Sequence, residues 1–155
     1  MGARHVPLHA LHERAGLPPS SGSPFRRVKR VLVAEDDPDT ATAIKEALEE
    51  HLPITVDHVT NGALVLDHIS ALETDPDLVI LDVSMPGLNG IDVFDLLRAS
   101  ASFIHVPVLF LTATPDRAEQ ASARFGTSSV MAKPFDCDAL VRRVDDLLAR
   151  ATRVA

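Results

Sequence analysis

The sequence predicts an α/β protein in which helices cover both faces of a parallel sheet. Two observations carry this reading. Short apolar runs recur at Val31–Ala34, Leu78–Leu81 and Val106–Leu111, and Leu78–Leu81 is continuous rather than alternating, as suits a strand buried on both faces. Between the runs, apolar residues repeat at helical spacing. Strand and helix therefore alternate along the chain, which is the pattern of right-handed crossovers in a parallel sheet.

Length and composition agree with one such domain. The chain has 155 residues, 46% of them hydrophobic, and a mean hydropathy of +0.11, enough for a single core. No run approaches the roughly 18 apolar residues of a membrane span, and the N-terminus lacks the apolar stretch of a secretory signal. Cys137 is the single cysteine, so no intrachain disulfide exists, and a reducing, cytoplasmic setting is expected. The net charge of −7 is uneven: residues 1–30 carry six basic side chains against Glu13, a net of +5, which leaves −12 on residues 31–155. A body this acidic argues against nucleic acid as a direct partner.

Residues 1–27 show no lasting periodicity, and Pro18-Pro19-Ser20-Ser21-Gly22-Ser23-Pro24 has linker composition, so a disordered basic, Pro/Ser-rich extension is expected there. His5, His9 and His12 could share one face of a short helix and bind a metal, but no further ligands accompany them, and a solvated tail is the better reading. The basic group Arg26-Arg27-Val28-Lys29-Arg30 reads as the flank of the first strand.

The folded domain is expected over residues 28–151. Val31–Ala34 is a buried strand followed at once by Glu35-Asp36-Asp37. Asp37-Pro38-Asp39 opens a helix, with an acid at the N-cap, proline in the first turn and an acid at the positive end of the dipole. Ala41, Ile44 and Leu48 continue it. Residues 54–59 form the second strand. Asn61-Gly62 starts a helix carrying Val65, Ile69 and Leu72 on one face. The third strand ends at Asp82, ahead of the turn residues Met85-Pro86-Gly87 and Asn89-Gly90. Ile91, Phe94 and Leu97 mark the next helix. The fourth strand closes at Thr112, with Pro107 near its start, where it is tolerated. Thr114-Pro115-Asp116 opens a helix that Gly126 stops. Residues 129–132 are a weaker fifth strand ending at Lys133-Pro134, and Asp136 begins a last helix with the stripe Leu140, Val144, Leu147 and Ala151.

Four strands thus end in polar chemistry: Glu35-Asp36, Asp82, Thr112 and Lys133. In a flavodoxin-like doubly wound (βα)5 three-layer sandwich with strand order 2-1-3-4-5, these groups meet at the carboxyl edge, beside the switch point between strands 1 and 3. With strands about 4.8 Å apart, Lys133 lies roughly 10 Å from Asp82, which a lysine side chain can largely cover. Three crowded carboxylates require protonation or a cation. Oxygen ligands without His or Cys suit a hard ion, and Mg²⁺ fits a site that keeps positions for water and phosphate oxygens. A carboxylate nucleophile, a divalent ion, a hydroxyl and a fixed ammonium form a phosphoryl-transfer set.

At these residues the chain resembles the CheY-like receiver domain of two-component response regulators. The matching motifs are VLVAEDDPD at 31–39, LVILDVSMPGLNG at 78–90, LFLTA at 109–113 and KPF at 133–135. The resemblance implies that Asp82 accepts a phosphoryl group from a sensor histidine kinase or histidine phosphotransfer protein. It implies that Asp36, Asp82 and the backbone carbonyl of Ser84 bind Mg²⁺, with Glu35 acting mainly through water. Thr112 would bond a phosphoryl oxygen, Lys133 would pair with the phosphoryl group, and the Lys133–Pro134 bond would be cis. Two positions depart from the family. Val130 stands where an aromatic residue often rotates inward on activation. Ser84 and Thr114 stand where faster dephosphorylating relatives carry amides or acids, so slow self-dephosphorylation is implied.

The resulting expectation is a stand-alone phosphoacceptor receiver without an output domain. It would be a signalling module more than a turnover enzyme, a monomer or weak dimer acting through protein contacts. A phosphorylation-independent pseudo-receiver is the alternative. An aspartyl-phosphate phosphohydrolase is disfavoured because Ser84 stands where its general acid would be. A flavin carrier is disfavoured because acids replace a phosphate-cradling loop and Trp and Tyr are absent.

Overall fold

A computed structural model describes residues 27–123 and 128–154 of the chain. The expected extension before Arg27, the His5, His9 and His12 group and the helix stop at Gly126 lie outside these residues. In chain order the elements are β1 (Lys29–Ala34), α1 (Pro38–His51), β2 (Ile54–Val59), α2 (Ala63–Ala71), β3 (Leu78–Asp82), α3 (Gly90–Ala99), β4 (Val108–Thr112), α4 (Pro115–Ser122), β5 (Ser128–Ala132) and α5 (Cys137–Val154). All four strand pairings are parallel, in the order β2-β1-β3-β4-β5. This is the predicted doubly wound topology.

The pleat explains the continuous apolar runs. Val31, Val33, Leu78, Ile80, Leu109 and Leu111 face one core, with Ile44 and Leu48 of α1 and Leu140 and Val144 of α5. Leu32, Ala34, Val79, Leu81, Val108 and Phe110 face the other, with Val65 and Ile69 of α2 and Val93, Phe94 and Leu97 of α3. Along these runs β1, β3 and β4 bury both of their faces, so the positions stay apolar until the strand ends, whereas the edge strand β2 carries Thr55, Asp57 and His58. Among the described residues, no helix is long and apolar enough to cross a membrane.

β1 begins two residues earlier than its apolar run, because Lys29 and Arg30 pair with Ile54 and Thr55 of β2. The basic flank has partners at this end: Arg27 holds Asp77 through two hydrogen bonds of 2.7 and 3.0 Å, and the same carboxylate accepts the Arg30 amide at 2.8 Å. The Asp37 side chain caps α1, as its sequence predicts. Asn89 caps α3 by accepting the Asp92 amide at 2.9 Å. Gly90, the first residue of α3, lies against the end of β3; a Cβ there would stand 2.4 Å from the Asp82 carbonyl oxygen.

Candidate functional site

The carboxyl edge of the sheet gathers the predicted groups. Glu35 follows β1 and is 1% exposed, Asp82 closes β3 at 5%, and Thr112 closes β4 at 1%. Asp36 is exposed. One carboxylate oxygen each from Glu35, Asp36 and Asp82 lie within 4.8 Å of one another. Lys133 crosses the gap left by its two-strand separation: its ammonium stands 2.8 Å from Glu35 Oε2 and 3.2 Å from Asp82 Oδ2. Its amide donates to the Thr112 carbonyl at 2.8 Å, and its peptide bond to Pro134 is cis.

Strand alternation places these side chains. Glu35 continues the row of Val31 and Val33, Asp82 that of Leu78 and Ile80, and Lys133 that of Met131, all toward the α1–α5 layer. Thr112 continues the row of Val108 and Phe110, toward the opposite layer. Asp82 and Thr112 thus leave the sheet on different faces and can meet only beyond its edge. Both side-chain hydrogen bonds of Thr112 run to Thr114. Its oxygen accepts the Thr114 amide at 2.9 Å and lies 3.1 Å from the Thr114 hydroxyl.

Backbone donors hold the acids. Asp37 N–H donates to Glu35 Oε1 at 3.2 Å, and Ser84 N–H donates to Asp82 Oδ1 at 3.1 Å. Ser84 itself is exposed. Sequence reasoning did not find His58 of β2, whose Nε2 lies 2.7 Å from the Glu35 carbonyl oxygen; a histidine within a strand carries no signal of such a contact.

Burial pushes the Glu35 carboxyl from an ordinary value of 4.5 up to about 7; Lys133 and the Asp37 amide oppose the rise and Asp82 adds to it. Burial opposes charge on Lys133, but Glu35 and Asp82 outweigh it and hold the ammonium above its usual value. The folded protein therefore keeps a proton on Glu35 that the unfolded chain releases between 4.5 and about 7. With more protons bound in the folded state, stability falls as pH rises through that window. Melting temperatures of the metal-free protein should fall across it. A hard divalent ion should flatten the slope, and Glu35→Gln should lose it. A wild-type slope unchanged in Glu35→Gln would assign the effect elsewhere.

Three converging carboxylates with excess negative charge, all oxygen donors and no His or Cys among them, fit Mg²⁺. With such an ion bound beside Lys133, the arrangement could neutralise an anionic ligand and present Asp82 as a nucleophile.

Comparison with known proteins agrees with this geometry. Residues 31–145 match the family described as response regulator receiver domain. The chain is 37% identical over 122 residues to the transcriptional activator protein IrlR of Burkholderia pseudomallei, covering 78% of this chain and 51% of that protein. It is 36% identical over 124 residues to the DNA-binding response regulator MtrA of Mycolicibacterium smegmatis, covering 79% and 51%. It spans about half the length of these curated relatives. Among solved structures, the receiver domain of a signal transduction histidine kinase from Syntrophus aciditrophicus superposes with a TM-score of 0.69 at 31% identity, covering 79% of this chain and 91% of that one.

Proposed function

The chain belongs to the receiver-domain family of two-component response regulators, and from that membership we propose that Asp82 accepts a phosphoryl group from the phosphohistidine of a kinase or phosphotransfer protein, in a Mg²⁺-dependent reaction in the cytoplasm. One observation carries the reading: Lys133 bridges Glu35 and Asp82 inside a cluster of three carboxylates. Two of the three acids are buried, and a perturbed acid cluster with a lysine among it is the mark of a functional site.

In the proposed reaction an Asp82 oxygen attacks phosphorus, the bond from phosphorus to the partner's imidazole nitrogen breaks, and an aspartyl phosphate forms. Asp36, Asp82 and the Ser84 carbonyl would hold Mg²⁺, with Glu35 acting through water. The ion, when bound, neutralises the carboxylates and the phosphoryl oxygens. Lys133 transfers its ammonium from the acids to the phosphoryl group, and the Thr112 hydroxyl donates to a phosphoryl oxygen. Ser84 and Thr114 offer hydroxyls where an acid or amide would orient water, so the phosphoryl group should persist for longer than seconds. Residues 28–151 serve as the receiver. Its output is a contact with another protein, by a monomer or weak dimer; the acidity of residues 31–155 supports a protein target over nucleic acid. The module signals, and its chemistry is confined to its own phosphorylation and dephosphorylation.

Incubation with acetyl phosphate, with and without Mg²⁺, followed by intact mass measurement over time, tests the proposal. Wild-type protein should gain one phosphoryl group only with Mg²⁺, and Asp82→Asn should gain none. Absence of any gain in the wild type would favour a pseudo-receiver, the reading to which Val130 lends support.

A further inference from the structure

The Thr112 hydroxyl is buried at the edge of the site, and the strand register places Thr112 on the sheet face opposite to that of Asp82. It accepts the Thr114 amide at 2.9 Å and shares a hydrogen bond of 3.1 Å with the Thr114 hydroxyl. Thr114 is the N-cap residue of α4. A threonine there ordinarily turns its oxygen onto the first-turn amides of its own helix. Here the side chain makes no capping bond to α4; its hydroxyl points back to Thr112.

We infer that Thr114 is a positioning residue: its hydroxyl latches the Thr112 hydroxyl in a resting orientation, away from the phosphoryl position. The two hydroxyls are each other's partner only while Thr112 faces α4. Either hydroxyl can donate in this pair; the latch is the form in which Thr112 donates to the Thr114 oxygen, so that when a phosphoryl group, or a mimic of it, arrives at Asp82, Thr112 gives up that acceptor and donates to the incoming oxygen instead. Val130, half-buried in the same row of β5 and paired to Phe110 beside Thr112, offers no polar atom to take over the bond. The latch therefore sets part of the free-energy difference between resting and engaged states. This inference rests on the phosphoacceptor reading of Asp82.

The size follows from the chemistry. A neutral hydrogen bond exchanged for another contributes a factor of about 2–10 in an equilibrium. Removing the Thr114 hydroxyl should raise affinity for a phosphoryl mimic by that factor, because the engaged state never uses it. Thr114→Val keeps the branched shape and the backbone amide. It sacrifices no cap, since the side chain makes none, and Thr114 is exposed, so the fold should withstand it.

The test titrates beryllofluoride with Mg²⁺ into wild type, Thr114→Val and Thr114→Ser, reading binding by NMR together with the side-chain rotamer of Thr112 from methyl couplings before ligand is added. Thr114→Val should bind about 2–10-fold tighter and should already shift the Thr112 rotamer population in the free protein. Thr114→Ser, which retains the hydroxyl, should behave as wild type on both counts. Wild-type uptake with equal or weaker binding by Thr114→Val, or an unmoved Thr112 rotamer, overturns the latch alone. A wild type that binds no beryllofluoride overturns the phosphoacceptor reading, and the latch with it.

Discussion

Lys133→Met is expected to slow phosphoryl uptake from acetyl phosphate by about 10²-fold, the typical loss when one charge-stabilising donor is removed from a reacting group. Methionine fills a similar volume, so packing changes little. What disappears is the cation between Glu35 and Asp82, which are 1% and 5% exposed. Breaking a buried ion pair commonly costs about 3–5 kcal/mol, because the remaining charge stays buried. Here a proton relieves part of that cost, since the Glu35 carboxyl already holds its proton up to about 7. The expected loss in the metal-free variant is therefore on the order of 2 kcal/mol above neutral pH and smaller in acid. Mg²⁺ should bind the variant more tightly than wild type, because no ammonium competes for the carboxylates. Slower phosphorylation beside tighter metal binding would separate a direct role of Lys133 at the phosphoryl group from general damage to the site. Uptake at the wild-type rate would remove Lys133 from the chemistry.

Gly90→Ala should lower stability by roughly 2 kcal/mol, within the usual range for forcing a methyl into filled space, and should also slow phosphorylation. Its Cβ would stand 2.4 Å from the Asp82 carbonyl oxygen and 3.0 Å from both the Asp82 carbonyl carbon and the Val83 Cα. All three are backbone atoms, so no side chain can turn aside. Alanine is favoured over glycine inside a helix by about 1 kcal/mol, but Gly90 is the first residue of α3, where that gain is smallest, so the clash wins. Relief requires α3 to move from the end of β3, which breaks the Gly90 N–H bond to the Val83 carbonyl at 3.1 Å and shifts the backbone that carries the nucleophile. Denaturant unfolding together with the acetyl phosphate assay checks both effects. Asn89→Ala, which removes only a cap, should cost about 1 kcal/mol and leave Asp82 in place. Wild-type stability in Gly90→Ala would mean that α3 is free to shift.

Most of the fold is legible from local chemistry. The apolar runs mark the strands because a strand with helices on both faces excludes polar side chains until it ends. Asp37 announces its helix because a short polar side chain reaches the first-turn amides. The acids, Thr112 and Lys133 stand out because they come immediately after those runs. Asn61-Gly62 and Asn89-Gly90 are less transparent. Asn61-Gly62 reads as a helix start and Asn89-Gly90 as turn chemistry, and neither reading says why a glycine is needed there. Among the described residues Gly87 is the one glycine with positive φ, at 78°. Gly62 and Gly90 are required by space: a Cβ on Gly62 would stand 1.7 Å from the Leu88 carbonyl oxygen. Which backbone passes over a glycine is a long-range fact with no local signature.

The identity of the reacting groups and their common edge follow from order along the chain, because parallel strands deliver their carboxyl ends to one side. The state of those groups does not. The pleat turns Thr112 away from Asp82, folding brings Lys133 between Glu35 and Asp82 from two strands away, and burial raises the Glu35 carboxyl. A hydroxyl's partner and a carboxyl's proton depend on neighbours distant in sequence and on how much water they exclude, and those neighbours exist only once the sheet has closed beneath its helices.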